Sequence, residues 1–371
     1  NNEPIFIDVP MKNFNHFTYQ LKELYLKERK KEGGSLLPFS KILSKLKLLA
    51  RQIQEGYELE LALNALGLFP LIIFKLIPTA FELFWNTNGF AISDWSTGRK
   101  YLHFHPQIHD DTFFDSLRIQ LELETNELLT SWNPSLIGNL NSGLGILRVT
   151  MKHPPFGKSI VIRKLPSKPL NLETLIDQGQ ISSQYAHELI LSMRQRKNIV
   201  IAGEPGSGKT TLLNALLLQL PQTWRVVILE DTKEIKMDSP LVDRLSTPQI
   251  RINSKAINEQ KSNIIAFSLR NSPDYFIFGE IQSPIDSKIV FEGIASGLRG
   301  IVTTHSTNLK TLLIRWKYSH KLSLDLISQI DVIVFTSRDI DETGRVILNV
   351  ASIHHKKEII ELFSSLGSEL L

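Results

Sequence analysis

At 371 residues, 42% of them hydrophobic and 22% charged, the chain is long enough to bury two compact cores and too apolar to be a disordered polymer. It contains no cysteine, which removes disulfides, thiol nucleophiles and thiolate metal sites together. A formal net charge of +4 and a pI of 9.0 are too mild to demand a nucleic-acid partner.

Asn1 to Pro10 lacks a cationic stretch followed by an apolar core, so no export signal is expected there. From Phe14 to Glu32 the apolar Phe14, Phe17, Leu21, Leu24 and Tyr25 recur at helical spacing, and Gly33-Gly34 ends the run. A second helix is expected over Ser40 to Gln54, with Ile42, Leu46, Leu49 and Ile53 as its apolar stripe and Lys41, Lys45 and Lys47 off it. Between Lys12 and Arg51 ten Lys or Arg face three Glu, a local excess larger than that of the whole chain. Two readings of that basic region stand: a solvated face over a core, or a surface for anionic lipid or an acidic partner. Leu59 to Phe84 is the most apolar stretch, but Asn64, Pro70, Lys75 and Pro78 interrupt it, so it reads as buried core and not as a membrane span.

Leu83 to His105 carries short β-rich runs broken at Asn86 to Gly89 and Ser96 to Gly98, the pattern of hairpins. A helix is expected over Phe113 to Leu129 on Leu117, Leu121 and Leu128, then strands at Gly145 to Thr150 and Ser159 to Leu165. Pro166 to Pro169 reads as a linker or a tight connection. Beyond it strand and helix alternate. Strands fall at Asn198 to Ala202, Trp224 to Glu230, Asp274 to Phe278, Gly300 to Thr304, Asp331 to Phe335 and Arg345 to Ala351; helices fall at Thr210 to Leu220 and Ala256 to Arg270. That alternation is the signature of a parallel α/β sheet. The division expected is a helical region over 1–80, an α+β domain over 81–165, a linker over 166–170 and an α/β domain over 171–371.

Gly203-Glu204-Pro205-Gly206-Ser207-Gly208-Lys209-Thr210, followed by Thr211, has the spacing of a phosphate-binding loop and lies between an expected strand and an expected helix. Its glycines let main-chain N–H groups wrap a phosphate, and the helix that starts there adds its positive end. Lys209 is the residue to neutralise the β and γ oxygens of ATP, and the Thr210 hydroxyl the one to bind Mg²⁺. Carboxylates at the ends of neighbouring strands face the same edge of such a sheet. Glu280, after Tyr275 to Gly279, is the candidate catalytic base that polarises the attacking water. Asp231 or Glu230, after Val226 to Leu229, is the candidate holder of Mg²⁺ or its waters. His305 ends another apolar strand at that edge, either as a structural residue or as a γ-phosphate sensor or donor.

Four motifs in order resemble the secretion ATPase superfamily, the motors of type II and type IV secretion, type IV pili and the archaellum. They are the loop, the acidic run Leu229 to Glu234, Leu269 to Asp274 leading to Gly279-Glu280, and Thr303-Thr304-His305-Ser306. Ser159 to Leu165 and Pro169 to Leu172 extend the resemblance upstream, and the Ile-Arg-Lys pattern and the short spacing to His305 are similar to archaeal members. The resemblance implies an α/β fold, a P-loop NTPase (RecA-like) motor domain with a parallel-rich sheet preceded by an α+β N-terminal domain. It implies a homohexameric ring that hydrolyses ATP with Mg²⁺ to power assembly, retraction or secretion of a pilus, filament or substrate. The ring would be cytoplasmic, peripheral at the inner face of the cell membrane, with a membrane platform protein as partner; an anionic membrane surface is the partner that the second reading of the basic region Lys12 to Arg51 adds. Arg163 and Arg148 then gain a role as arginine fingers from the N-terminal domain, and Arg270 braces the site or a subunit contact. A DNA-translocating ring is the alternative, with nucleic acid as partner, and a regulatory ring subunit with little turnover is a third reading. One departure is Gln282, where the family commonly has Arg; a neutral amide there loses a charge-assisted contact of about 1.5 to 3 kcal/mol.

Overall fold

The computed structural model describes residues 4–8, 13–31, 37–105, 110–153, 155, 157–166, 168–230, 234–245, 270 and 272–366. The chain divides into two compact units, 1–167 with 340–346, and 168–339 with 347–371.

The first unit is α+β. Its strands are β1 (Ile5–Asp8), β2 (Ala80–Asn86), β3 (Gly89–Asp94), β4 (Gly98–His105), β5 (Ser135–Ser142), β6 (Gly145–Lys152) and β7 (Ser159–Lys164). They form one sheet in the order β1-β4-β3-β2-β7-β6-β5, antiparallel except for the β1–β4 pair. Its helices are α1 (Phe14–Lys31), α2 (Phe39–Ile53), α3 (Glu58–Ala65), α4 (Ile73–Leu76) and α5 (Asp110–Thr125). Ile42, Leu46 and Leu49 of α2 are buried while Lys41 is exposed, so the stripe faces inward as its spacing requires. Leu68 to Phe74 are buried in the same core as Leu83, Trp85 and Ile162 of the sheet. No helix among the described residues is long and apolar enough to cross a membrane.

One local expectation fails here for a physical reason, and one strand was not expected. The helix expected to reach Leu129 stops at Thr125, because Asn126 takes a left-handed φ of 56°; Leu128 is left exposed. Strand β5 carries no strand signal of its own, because it lies at the end of the sheet order and its Gly, Asn and Ser suit a loop as well.

The second unit is α/β. Its strands are β8 (Ile199–Gly203), β9 (Val226–Leu229), β10 (Val242–Leu245), β11 (Tyr275–Ile281), β12 (Gly300–His305), β13 (Val332–Ile340) and β14 (Val346–His355). Their order is β10-β9-β11-β12-β8-β13-β14, and every pair from β10 to β13 is parallel. Its helices are α6 (Leu172–Asp177), α7 (Ser183–Arg194), α8 (Lys209–Leu217), α9 (Pro284–Ala295), α10 (Leu309–Ile314), α11 (Leu324–Ile327) and α12 (Lys356–Ser365). The helix expected over 256–270 lies outside the described residues except for Arg270.

Both faces of this sheet are covered, which is why its central strands read as unbroken apolar runs. Ile199, Ile201, Val226, Ile228 and Ile277 share a core with residues of α6, α7 and α8. The alternate Val200, Ala202, Val227, Phe276 and Val302 share another with residues of α9, α10 and α12. The architecture is the expected α/β fold with a parallel-rich sheet, preceded by an α+β region. Because β8, β9, β11, β12 and β13 run the same way, the residues that follow them converge on one sheet edge, where open α/β sheets receive ligands.

Candidate functional site

Strand β8 ends at Gly203, and α8 begins at Lys209; the residues between form the glycine loop. Gly206 and Gly208 take φ values of 74° and 86°, which a side chain would resist. Gly203 is needed for a different reason: a Cβ there would collide with the hydroxyls of Thr336 and Ser207. Glu204, Pro205 and Gly206 are exposed at the tip, whereas Ser207 and Lys209 are buried. Thr210 and Thr211 open α8 half-buried.

Lys209 is held by acceptors of its own loop, 3.1 Å from the Gly203 carbonyl and 2.9 Å from that of Glu204, and it lies 3.1 Å from Nδ1 of His305. Burial pushes its ammonium below ordinary lysine basicity, although the carboxylates of Glu280 and Glu234 pull the other way. His305 ends β12 level with Gly203 of β8, so the sheet register itself places it beside the loop. Its Nε2 is 2.9 Å from Oε1 of Glu280. An ammonium can only donate, so Nδ1 is the acceptor and Nε2 carries the proton toward the carboxylate. Oε2 of Glu280 accepts from the Gln282 amide at 2.8 Å. Gln282 is thus in direct contact with the candidate base.

Glu280 is turned out of line by an irregularity. The pairing of β11 with β12 shifts register between Phe278 and Ile281, the kind of bulge that re-aims a side chain at the end of a strand. The hydroxyls of Thr303 and Thr304 bond the carbonyls of Gly279 and Ile281 across that bulge. Gly279 itself makes room for Glu230: a Cβ on it would stand 2.9 Å from that of Glu230.

The acidic run after β9 splits in function. Glu230 is buried, and its Oε2 accepts from the N–H groups of Glu234 and Ile235 at 2.9 and 3.0 Å. Its Oε1 pairs with Arg244 of β10, whose other end bonds the Met237 carbonyl at 3.2 Å. Both oxygens are therefore engaged in holding the chain that follows β9. Asn214 of α8 fastens the same segment through the Glu234 carbonyl at 3.1 Å and the Lys236 N–H at 2.7 Å. The carboxylate that meets the Thr210 hydroxyl is Glu234, at 3.3 Å. Asp231, the other expected Mg²⁺ holder, lies outside the described residues.

The three arginines are placed differently. Arg163 of β7 makes a two-pronged bond to buried Glu82 of β2, at 2.9 Å from Nε and 2.5 Å from Nη2. Arg148 of β6 lies directly opposite Arg163, in one row with Glu82 across the sheet of the first unit. Arg270 is exposed at the end of a segment outside the described residues.

Residues that the sequence did not single out also support the loop. The Thr336 hydroxyl of β13 lies 2.6 Å from that of Ser207, and Leu348 of β14 packs against Gly208. Thr336 follows an apolar run at the same sheet edge, so the strand-end argument that found Glu280 reaches it too. Arg338, Arg244 and Asn214 carried no local signal.

A family model described as Type II/IV secretion system protein matches residues 140–346. The uncharacterized protein MJ0900 of Methanocaldococcus jannaschii is 29% identical over 223 residues, 60% of this chain and 40% of that protein. Competence protein ComGA of Streptococcus pneumoniae is 32% identical over 154 residues, 41% of this chain and 44% of that protein. The chain thus spans less than half the length of either relative. The crystal structure of the Legionella pneumophila ATPase DotB aligns over 90% of both chains with a TM-score of 0.56 at 16% identity, a likeness of fold alone.

Proposed function

The chain belongs to the family of type II/IV secretion system proteins, matched over residues 140–346, and on that premise we propose that it is an ATP-hydrolysing motor serving a secretion or pilus machine. The observation that carries the reading is the line from Lys209 through His305 to Glu280 at the mouth of a glycine loop. A lysine, an imidazole and a carboxylate placed there can bind a polyphosphate and position water against its terminal phosphorus.

The polyphosphate of ATP replaces the loop carbonyls around Lys209, and the loop amides with the N-terminus of α8 hold its charge. Glu280 accepts a hydrogen bond from the attacking water. The water oxygen bonds to the γ-phosphorus, the bond from that phosphorus to the β–γ bridging oxygen breaks, and ADP leaves with the electron pair. The water proton passes to the carboxylate or to the phosphate released. Mg²⁺ fits the donor set, because the Thr210 hydroxyl and the Glu234 carboxylate are oxygen donors side by side, and Mg²⁺ takes one or two protein oxygens besides phosphate. Bound there it would neutralise charge on the phosphates; Asp231 belongs to the same proposed set.

The reading extends to a homohexamer, to a membrane platform protein and an anionic membrane surface as partners, and to a place at the inner face of the cell membrane. It keeps the division at residues 80, 165 and 170, with Arg163 and Arg148 as fingers from the N-terminal side and Arg270 as a brace. Phosphate release by the purified protein, measured beside Lys209→Ala and Glu280→Gln, tests the core of it. Turnover in the wild type that both variants abolish is the result expected. Equal, negligible rates in all three would leave a nucleotide-binding subunit without motor activity.

A further inference from the structure

Arg338 follows Thr336 by two positions on β13, so the two side chains leave the same face of the strand. Thr336 braces Ser207, and Arg338 covers the next part of the loop: the space that a Cβ on Gly206 would fill lies 3.2 Å from its Nη1 and 3.7 Å from its Cζ. Its Nε is buried and has no hydrogen-bond partner. Guanidinium stays charged at any pH a protein survives, and a buried donor of that kind is costly until an acceptor reaches it. The glycine loop is built to receive such an acceptor, since its amides gather a polyanion.

The sheet order says which part of the anion comes near. Strand β8 lies between β12 and β13. His305 and Glu280, which mark the phosphate to be transferred, stand on the β12 side. Arg338 stands on the β13 side, so a nucleotide laid across the loop turns its remaining phosphates and nucleoside toward it. We propose that Arg338 binds the phosphates that stay with the nucleoside, an assignment that rests on the nucleotide reading above. Those phosphates are common to ATP and ADP and do not change in hydrolysis. Arg338 therefore strengthens binding of both nucleotides alike and leaves the chemical step alone.

Calorimetric titration of ADP and of a non-hydrolysable ATP analogue, with steady-state phosphate release, tests this in the wild type, Arg338→Met, Arg338→Lys and Lys209→Ala. Met keeps an unbranched stem against Gly206 and removes the charge; Lys keeps the charge. The expected result is a loss of about tenfold in affinity for both nucleotides in Arg338→Met, partial recovery in Arg338→Lys and a kcat within about twofold of wild type. A Met variant that binds both nucleotides like the wild type overturns the assignment. So does a loss confined to the ATP analogue together with a fall in kcat, which would move Arg338 to the transferred phosphate. Arg338→Gln carries the same comparison where the Met variant melts early. A wild type that binds neither nucleotide removes the nucleotide reading itself, whereas binding that Lys209→Ala abolishes and Arg338→Met retains removes only the role of Arg338.

Discussion

Nζ of Lys209 stands 3.1 Å from Nδ1 of His305, and this one contact fixes which nitrogen of the ring faces Glu280. Lys209 and Glu280 are therefore joined through a single imidazole. On the reading proposed above, a nucleotide that takes Lys209 removes the donor to Nδ1, and the ring is free to turn. The imidazole is thus the group through which occupancy of the loop would reach the Glu280 carboxylate, which it already holds at 2.9 Å.

His305→Ala should for that reason separate binding from turnover. Lys209 loses an acceptor in the empty site, and nucleotide affinity should stay within about threefold of wild type, since one lost hydrogen bond is worth about 0.5 to 1.5 kcal/mol. Turnover should fall at least tenfold, because Glu280 is no longer held. Calorimetry and phosphate release on the same preparation check this; a kcat equal to wild type would exclude the relay.

Arg244→Ala should act on stability first. Glu230 has only 4% of its side chain exposed, and Arg244 is its cationic partner. Removing one member of a buried pair leaves the other charge uncompensated, at a cost of about 3 kcal/mol or more. Denaturant unfolding should show that loss in Arg244→Ala and a smaller one in the double variant with Glu230→Gln. Equal losses would mean that the pair contributes nothing as a pair.

The different fates of Glu280 and Glu230 show what the sequence could convey. Glycine spacing and the ends of apolar strands are local patterns, and in a parallel sheet they converge, so the nearness of Lys209, Glu280 and His305 could be reasoned from the chain alone. The engagement of Glu230 could not, because Arg244 comes from β10, a four-residue strand of mixed polarity. The bond between Thr336 and Ser207 joins residues 129 positions apart and follows only from β13 lying beside β8. Strand β5 was missed because its polar residues suit the end of a sheet as well as they suit a loop.

His320 should impose an acid limit on the second unit. Its Nδ1 lies 2.6 Å from the buried Ser287 hydroxyl. Burial and the nearby Arg315 guanidinium push its pKa below the ordinary 6.5, against the pull of Asp286. The unfolded chain thus binds the proton first as pH falls, and stability present above pH 6.5 is lost as pH drops through the lower folded value. Denaturant midpoints between pH 7.5 and pH 5 should decline in the wild type and decline less in His320→Gln. Parallel profiles would exclude a contribution from this ring.

Arg163→Ala cannot be interpreted by itself. Its guanidinium holds Glu82, whose side chain is 6% exposed, so the single variant strands a buried carboxylate and should lose about 3 kcal/mol of stability. A fall in turnover could then follow from a damaged sheet and not from a missing finger. Glu82→Gln with Arg163→Ala removes both charges and should recover most of the stability. If Arg163 reaches ATP during the cycle, this double variant remains at least tenfold slow in phosphate release while its unfolding midpoint approaches wild type. If Arg163 serves only Glu82, turnover returns with stability. Arg148 lies directly opposite Arg163: as a second finger its Ala variant slows turnover by more than its own loss of stability explains, whereas turnover that merely follows stability excludes that role.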